Sequence, residues 1–243
     1  MKGLVWLRND LRMDDNPSLK QACIENDEVH CIYIYSSEQS ALHNEANCKI
    51  EFIIENLKDL NRSLNEFNIP LTIINSKGFN DNAEKIIETT KKRSITKVYW
   101  NNVFGTDEQK RDLDVKQILK SNNIEYETFD DQVVFAPGTI KKQENKPYSV
   151  FTPFKRRWIE NFNIDLLDIE FKYSIKNDTE IISNIEDFDF DYQKAHSVDM
   201  SLWKIGEQNA LSILMNKKKE KIYRYSFDRN DPIIDGTSRL SPY

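Results

Sequence analysis

Residues 1–130 alternate between short apolar runs and longer segments of helical periodicity, and this alternation limits the fold more than any other feature. The apolar runs have the length of buried strands and occupy residues 3–7, 28–35, 70–75, 97–101 and 124–129. Helical spacing is found in residues 48–67, 79–92 and 107–120, and Asn16-Pro17 starts a further helix. Strands that alternate with helices through short links predict an α/β fold, with a five-stranded parallel sheet and helices on both faces.

The loops after the strands are the expected place for a ligand, because α/β sheets bind ligands outside the carboxyl ends of their strands. The loop after the first strand carries Arg8, Asp10 and Arg12. We interpret their alternating charges mainly as ion pairs across the crevice, with a ligand role as the alternative. The sequence contains neither the glycine-rich dinucleotide motif nor the phosphate-binding loop of nucleotide hydrolases, so an ordinary dinucleotide or triphosphate site is not expected.

The regular pattern fades after residue 130. Residues 131–200 contain several prolines and an acidic run, which predicts an extended connector, with Phe151 and Phe154 packed against a domain face. Residues 201–243 start a helix at Ser201 and carry eight Lys or Arg against five Asp or Glu, although the whole chain has a net charge of −6. Such a basic segment is either a solvated helix face or part of a surface that follows phosphates.

The rest of the composition gives no sign of a metal site or a membrane segment. Cys23, Cys31 and Cys48 lack metal-ligand spacing, and the three histidines are scattered. No apolar run reaches the length of a membrane span and no signal peptide precedes the first strand, so we expect a cytoplasmic protein. We also expect it to be a monomer. We assign no metal ligand and no catalytic residue.

The last nine residues, 235–243, place Thr237, Ser238 and Arg239 directly after Gly236. A turn of this composition can present hydroxyls, a guanidinium and backbone N–H groups to an anion, as in a phosphate site. Taken alone, the same residues also make an ordinary helix start, in which Thr or Ser caps the first turn. This stretch by itself leaves both interpretations open.

Three further motifs lie in order along the chain. Residues 6–12 read WLRNDLR and are followed by Asp15 and Asn16, and residues 150–154 read VFTPF and are followed by Trp158. The third set joins Trp203, Gly206, Glu207 and Ala210 to Tyr225, Arg229, Pro232 and the run GTSRLS at 236–241. Together the motifs resemble the opening motif, the inter-domain signature and the flavin-domain entry of the DNA photolyase and cryptochrome family.

The resemblance implies a Rossmann-like antenna domain in residues 1–130, an inter-domain connector in 131–200 and the start of an all-α FAD-binding domain in 201–243. It implies FAD contacts at Tyr225, Thr237, Ser238, Arg239, Leu240 and Ser241. Hydroxyl and N–H groups at a helix start suit a flavin diphosphate, although Arg239 could instead pair within the protein. Arg229 falls at a contact with DNA phosphate, with a solvated or locally paired arginine as the alternative.

The same resemblance implies an antenna chromophore on the α/β domain, contacted by His43, Asp107 and Glu108. These positions are similar to the folate contacts of photolyases that carry 5,10-methenyltetrahydrofolate, where a carboxylate such as Glu108 can pair with two pterin nitrogens. Asp107 stands where that pattern has an amide, and acids in a first turn are also typical of an ordinary helix start. Folate is the expected antenna, with deazaflavin, flavin mononucleotide or no antenna as alternatives.

The implied function is light-driven repair of UV-damaged DNA. The antenna passes excitation to reduced FAD, which donates an electron to a cyclobutane pyrimidine dimer flipped out of the duplex. Because the family's flavin domain continues for roughly two hundred further residues, an ordinary domain size, we expect this chain to be an amino-terminal portion without activity of its own. Two other functions stay open: a cryptochrome light sensor, and a stand-alone chromophore-binding or nucleotide-binding α/β module.

Overall fold

The computed structural model describes residues 1–142, 145–164, 173, 183–192, 199, 201, 203–216, 218–231, 233–238 and 240. Five strands form one sheet: β1 (Lys2–Leu7), β2 (Glu28–Tyr35), β3 (Leu71–Asn75), β4 (Lys97–Asn101) and β5 (Glu125–Phe129). The strand order is β3-β2-β1-β4-β5, and every neighbouring pair is parallel. The predicted fold class is confirmed.

Eight α-helices lie in the described part of the chain. They are α1 (Pro17–Glu25), α2 (Ser37–Leu42), α3 (Asn47–Asn65), α4 (Asn82–Arg93), α5 (Thr106–Ser121), α6 (Phe151–Asn161), α7 (Glu207–Asn216) and α8 (Lys218–Asp228). Within the residues described, none of these helices combines the length and the apolar character that a membrane crossing requires.

The sheet has a hydrophobic core on each face, because successive side chains of a strand point to opposite sides. Val5 and Leu7 of β1 pack with α1 and α3, whereas Leu4 and Trp6 pack with α4 and α5. Leu57 of α3 is fully buried. A buried leucine contributes about 1.5–3 kcal/mol, more than the 0–1 kcal/mol of an exposed ion pair, so packing rather than surface charge holds α3 on the sheet.

Strands β1 and β4 are neighbours in the sheet, but the chain continues from them toward opposite edges: β2 lies next to β1 on one side of this pair, and β5 lies next to β4 on the other side. Neighbouring strands of this kind form the crevice in which α/β sheets bind ligands. Asn101 at the end of β4 donates to Asp10 Oδ2 at 2.5 Å and to Asn16 Oδ1 at 2.9 Å. This polar network fixes the loop between β1 and α1 against β4.

The helix predicted to start at Ser201 begins at Glu207, and two other helices were not expected from the sequence. Helix α2 has only six residues, too few for a helical period to stand out, and α6 lies within the predicted connector. The prediction that Phe151 packs on a domain face is wrong, since its side chain is 71% exposed. Phe154 contacts the rings of Tyr148 and Phe151, so the aromatic residues of this segment pack mainly on one another.

Residues 183–192 of the connector are part of the core on the α3 face. The side-chain amide of Asn184 accepts from the backbone N–H of Ile73 at 2.8 Å and donates to its carbonyl oxygen at 2.9 Å. Ile185 and Phe190 are buried in the same cluster as Leu57. The edge of β3 is therefore covered by an amide side chain in place of a sixth strand.

The first residues of α7 join the carboxyl-terminal segment to the α/β part. The Glu207 carboxylate accepts from the backbone N–H groups of Met13 and Asp14, both at 2.9 Å. Gly206, at φ +96°, donates its N–H to Asn56 Oδ1 at 3.0 Å. Burial raises the pKa of Glu207, because two backbone hydrogen bonds only partly replace the water that the carboxylate has lost.

Candidate functional site

A crevice of about 170 Å³ opens at the carboxyl ends of β1 and β2 and is also lined by Val103, which follows β4. It therefore lies at the edge of the sheet where a ligand is expected. Aromatic and aliphatic side chains make about half of its walls, among them Trp6, Tyr33, Tyr35, Ile50, Phe79 and Phe190. Walls of this kind suit a flat aromatic ring, which gains from burial and from stacking against other rings.

Beside these apolar walls lies a buried ion pair. Arg8 Nη1 donates to both carboxylate oxygens of Asp112, at 2.8 and 2.9 Å. Asp112 also accepts from Arg111 Nε and Nη2, at 3.0 and 2.8 Å, and from Trp100 Nε1 at 3.2 Å. One carboxylate thus holds two arginines, and the prediction that Arg8 pairs across the crevice is confirmed.

The guanidinium of Arg111 lies between two aromatic rings. Its central carbon is 4.7 Å from the centroid of the Trp6 ring and 4.8 Å from that of Phe79. Burial and the nearby positive charge of Arg8 lower the pKa of Arg111, although an arginine stays protonated in proteins. The crevice therefore has a fixed cationic group in its wall.

His43 follows α2 directly and lines the crevice. Its Nε2 atom is 2.6 Å from Gln39 Nε2, and its ring meets the Phe79 ring at 5.8 Å in an edge-on arrangement. The side chain is exposed, so the imidazole lies at the mouth of the crevice.

Glu108 also lines the crevice, from the first turn of α5. A Cβ atom on Gly105 would lie 2.0 Å from Glu108 Oε2, so the glycine makes room for this carboxylate. The structure thus brings two of the three predicted antenna residues, His43 and Glu108, to one cavity. Asp107 is exposed in the same turn and does not line the cavity.

Sequence reasoning missed three residues that shape the crevice: Phe79, Arg111 and Phe190. A signal for Arg111 was present, since it follows Glu108 by three positions and such residues share a helix face. Phe79 and Phe190 could not be assigned from spacing, because they reach the crevice through contacts distant in sequence. Phe190 meets Tyr35 edge-on, with ring centroids 5.3 Å apart.

Two other cavities in the described part of the chain are larger. One, of about 360 Å³, lies between residues 135–145 and α6, and the other, of about 380 Å³, lies along residues 185–192. The second shares Ile54 and Phe190 with the crevice, and neither is lined by a side chain that sequence analysis assigned to a ligand. The smaller crevice remains the best candidate, because buried charge and aromatic walls meet there.

The predicted flavin and DNA residues lie in the carboxyl-terminal segment. Tyr225 of α8 is 48% exposed, and the guanidinium of Arg229 lies 5.5 Å from the centroid of its ring. Asp228, one alternative partner for Arg229, is instead bound by Arg224 at 3.1 Å. Arg229 therefore keeps an exposed cationic group.

The loop after α8 is held against that helix. Gly236 is buried so closely that a Cβ atom there would lie 2.8 Å from the backbone of Asp228. Lys221 Nζ bonds Asp235 Oδ2 at 2.7 Å and the Thr237 carbonyl oxygen at 3.0 Å. The hydroxyl-bearing Thr237 and Ser238 are exposed and Leu240 is half-buried, while the predictions for Arg239 and Ser241 fall outside the described residues.

Comparison with known proteins connects these features to one family. A family model described as DNA photolyase matches residues 3–171, well over half of the chain. The chain belongs to the DNA photolyase family. Deoxyribodipyrimidine photo-lyases of Vibrio cholerae and of Buchnera aphidicola subsp. Acyrthosiphon pisum are 30% and 31% identical to it, over 99% and 100% of this chain. The Escherichia coli enzyme of the same name is 29% identical over 98% of it.

Solved photolyase structures have the same fold. A bacterial class III photolyase from Agrobacterium tumefaciens superposes with a TM-score of 0.83 at 22% identity, covering 99% of this chain and 49% of that one. A Sulfolobus tokodaii photolyase solved with two FAD molecules gives 0.71 at 20% identity, covering 100% of this chain and 51% of its own. The chain spans about half the length of the photolyases that it matches.

Proposed function

We propose that the protein is a deoxyribodipyrimidine photo-lyase, which splits cyclobutane pyrimidine dimers in UV-damaged DNA with light. The α/β part has the antenna role, and the observation that carries this is the crevice with aromatic side chains in its wall, which His43 and Glu108 both line. The activity is proposed for a polypeptide of the family's full length, of which this chain corresponds to about half.

The residues of the carboxyl-terminal segment suit FAD. Reduced FAD, when bound, would supply the electron that opens the dimer, and an excited antenna chromophore would supply the energy. Thr237 and Ser238 expose hydroxyl groups that can donate to a diphosphate, and the close approach at Gly236 brings them beside α8. Tyr225, Arg239, Leu240 and Ser241 complete the proposed set.

The crevice residues suit 5,10-methenyltetrahydrofolate as the antenna. Glu108 can accept from an amino group and a ring nitrogen of a pterin at once, which orients the ring within the aromatic walls. His43 at the mouth and the exposed Asp107 are proposed contacts for the parts of the chromophore that extend to solvent.

Glu108→Gln tests the antenna contact, because it keeps the side chain's size and replaces a carboxylate that accepts two hydrogen bonds. The dissociation constant for 5,10-methenyltetrahydrofolate should rise about tenfold or more, the usual effect of losing one charged hydrogen bond. Asp114→Asn is the control, since Asp114 is an exposed carboxylate on the same helix. If the two variants bind 5,10-methenyltetrahydrofolate equally well, Glu108 does not contact the chromophore.

Arg229 is proposed to bind DNA phosphate, because a guanidinium can donate two parallel hydrogen bonds to one phosphate group. In the full-length protein, Arg229→Ala should weaken binding to UV-irradiated duplex, and the weakening should shrink as salt rises. The matched control is Arg224→Ala, which removes an exposed arginine already paired with Asp228.

The repair activity is tested directly by illuminating the full-length protein with an oligonucleotide that carries one cyclobutane dimer. Dimer loss that needs light and stays absent in the dark is the expected result. A parallel substrate with a 6-4 photoproduct decides the lesion type.

A cryptochrome is the second candidate, favoured by a match to Cryptochrome-2 of Arabidopsis thaliana at 22% identity over 250 residues. A full-length protein that binds both chromophores, is photoreduced and leaves both lesions intact would support this candidate. Residence in the cytoplasm and a monomeric state remain predictions from the sequence.

A further inference from the structure

Arg8 has hydrogen-bond donors that no described residue uses. Its side chain is only 7% exposed, and Nη1 is fully engaged by Asp112. The Nε and Nη2 atoms have neither a hydrogen-bond partner among the described residues nor contact with solvent. Buried charged donors without acceptors are costly, so such atoms indicate an acceptor that enters from elsewhere.

The unpaired edge of Arg8 belongs to a side chain in the crevice wall, together with Trp6, Tyr33 and Glu108. The charges near it nearly cancel. Arg8, Arg111 and Lys49 are positive, whereas Asp112, Glu45 and Glu108 are negative, and Asp10 accepts the backbone N–H of Arg8 at 2.7 Å. A phosphate or carboxylate would find no net positive charge here, so a neutral oxygen acceptor fits better.

We propose that the Nε–Nη2 edge of Arg8 binds a ring carbonyl oxygen of the antenna chromophore and so fixes the ring in the crevice. The inference rests on the proposed antenna function and adds the residue that selects the ligand class: flat heteroaromatic rings with a carbonyl group on their edge. Stacking on the aromatic walls supplies affinity for any flat ring, whereas the paired N–H donors select for the carbonyl.

The test is a binding titration of the chain with four probes. These are riboflavin, flavin mononucleotide, 5,10-methenyltetrahydrofolate and the matching pteroate without the glutamate tail. Arg8→Met removes both donors and fills the space with an apolar side chain of similar length. Each probe that binds the wild type should bind this variant about 10- to 100-fold more weakly, the effect of losing a charged hydrogen bond.

Arg12→Met is the matched control, because Arg12 lies in the same loop, is paired with Asp131 at 2.6 Å and does not line the crevice. It should keep wild-type affinity. If Arg8→Met fails to fold, Arg8→Lys keeps a cation beside Asp112 and loses the two-donor edge. The infrared carbonyl stretch of flavin bound to Arg8→Lys should then lie at a higher frequency than that of flavin bound to the wild type, closer to its value in an apolar solvent, because the carbonyl has lost the two donors.

The outcomes separate this inference from the proposed function. If the wild type binds none of the probes, the antenna function fails and the inference fails with it. If the wild type binds and folded Arg8→Met binds equally well, the inference alone is overturned. A loss confined to the probes with phosphate or glutamate would also overturn it, since Arg8 would then bind an anion.

Discussion

In the α/β half, Arg8 and Glu108 lie in a crevice whose walls are already assembled, whereas in the carboxyl-terminal segment Thr237 and Ser238 lie on the surface. The crevice residues are fixed by a buried network around Asp112. In the segment, the corresponding constraints are the exposed Lys221–Asp235 pair and the close packing of Gly236.

The difference indicates that the two proposed chromophore sites depend on different parts of the fold. A parallel sheet builds its ligand site from the loops of neighbouring strands, and the crevice is lined from β1, β2, α2, α3 and α5, together with Phe79 and Phe190. The surface of α8 has exposed apolar side chains, including Tyr223 at 80% and Phe227 at 81%, and a patch of this kind is typical of an unfilled interaction surface. Three of the pairs of substitutions below compare the two regions, and the histidine pair lies within the α/β half.

The largest difference in stability loss between the two regions is expected when a carboxylate is replaced. Asp112→Asn should lower the free energy of unfolding by about 3–5 kcal/mol, because it leaves two buried arginines without their counter-charge. Asp228→Asn should cost less than about 1 kcal/mol, since its partner Arg224 is 69% exposed. Urea unfolding followed by circular dichroism measures both. Equal losses would mean that the crevice network is no more important than a surface pair.

Apolar side chains should show the next largest difference. Leu57→Ala should cost about 2–5 kcal/mol, because it leaves a cavity in the core on the α3 face. Tyr223→Ala on α8 should change the stability by less than about 0.5 kcal/mol. The same unfolding experiment applies. A large loss for Tyr223→Ala would show that α8 is packed more firmly than its exposure indicates.

The acid sensitivity of the chain should come from the α/β half. Burial, with a smaller contribution from Arg93, lowers the pKa of His30 to about 4. The unfolded state binds a proton near pH 6.5 and the folded state does not, so stability should fall by roughly 1–3 kcal/mol as the pH drops from 6.5 to 4. His30→Gln should flatten this profile.

The control for the pH experiment is His43→Gln, which removes an exposed histidine at the mouth of the crevice. Its unfolding profile should keep the wild-type slope between pH 6.5 and 4. If His43→Gln flattens the slope and His30→Gln does not, the assignment of the acid sensitivity to the buried histidine is wrong.

The smallest difference concerns two threonines. Thr90 is buried in α4 and donates to the Ile87 carbonyl oxygen at 2.9 Å, so Thr90→Ala should cost about 1 kcal/mol. Thr237→Ala should stay within about 0.5 kcal/mol, because the residue is exposed and serves a ligand in our proposal. Thermal unfolding of the two variants and the wild type measures both stability losses. A cost at Thr237 equal to that at Thr90 would indicate a structural role.

The sequence was sufficient to predict the sheet, because each strand is a short apolar run and each crossover helix has helical spacing. The end of β2 at Tyr35 and both ends of β4 lie where the pattern placed them. Helix α2 was missed because six residues carry too little periodicity. Phe190 was missed because its place in the core depends on Asn184 binding the edge of β3, more than a hundred residues away in sequence.

The candidate site was predictable in part for the same reason. His43 and Glu108 follow strands β2 and β4, so the rule for strand ends places them at one edge of the sheet. The pairing of Arg8 with Asp112, and the unpaired edge that results, depends on how β1 and α5 pack together. No local pattern encodes such a contact.

Amide hydrogen exchange of the chain, with and without saturating 5,10-methenyltetrahydrofolate, tests most directly that the α/β half alone holds a formed chromophore site. We predict slower exchange at the ends of β1 and β2 and in the first turn of α5, with no change between residues 221 and 238. Protection confined to the carboxyl-terminal segment, or absent from the whole chain, would contradict the account.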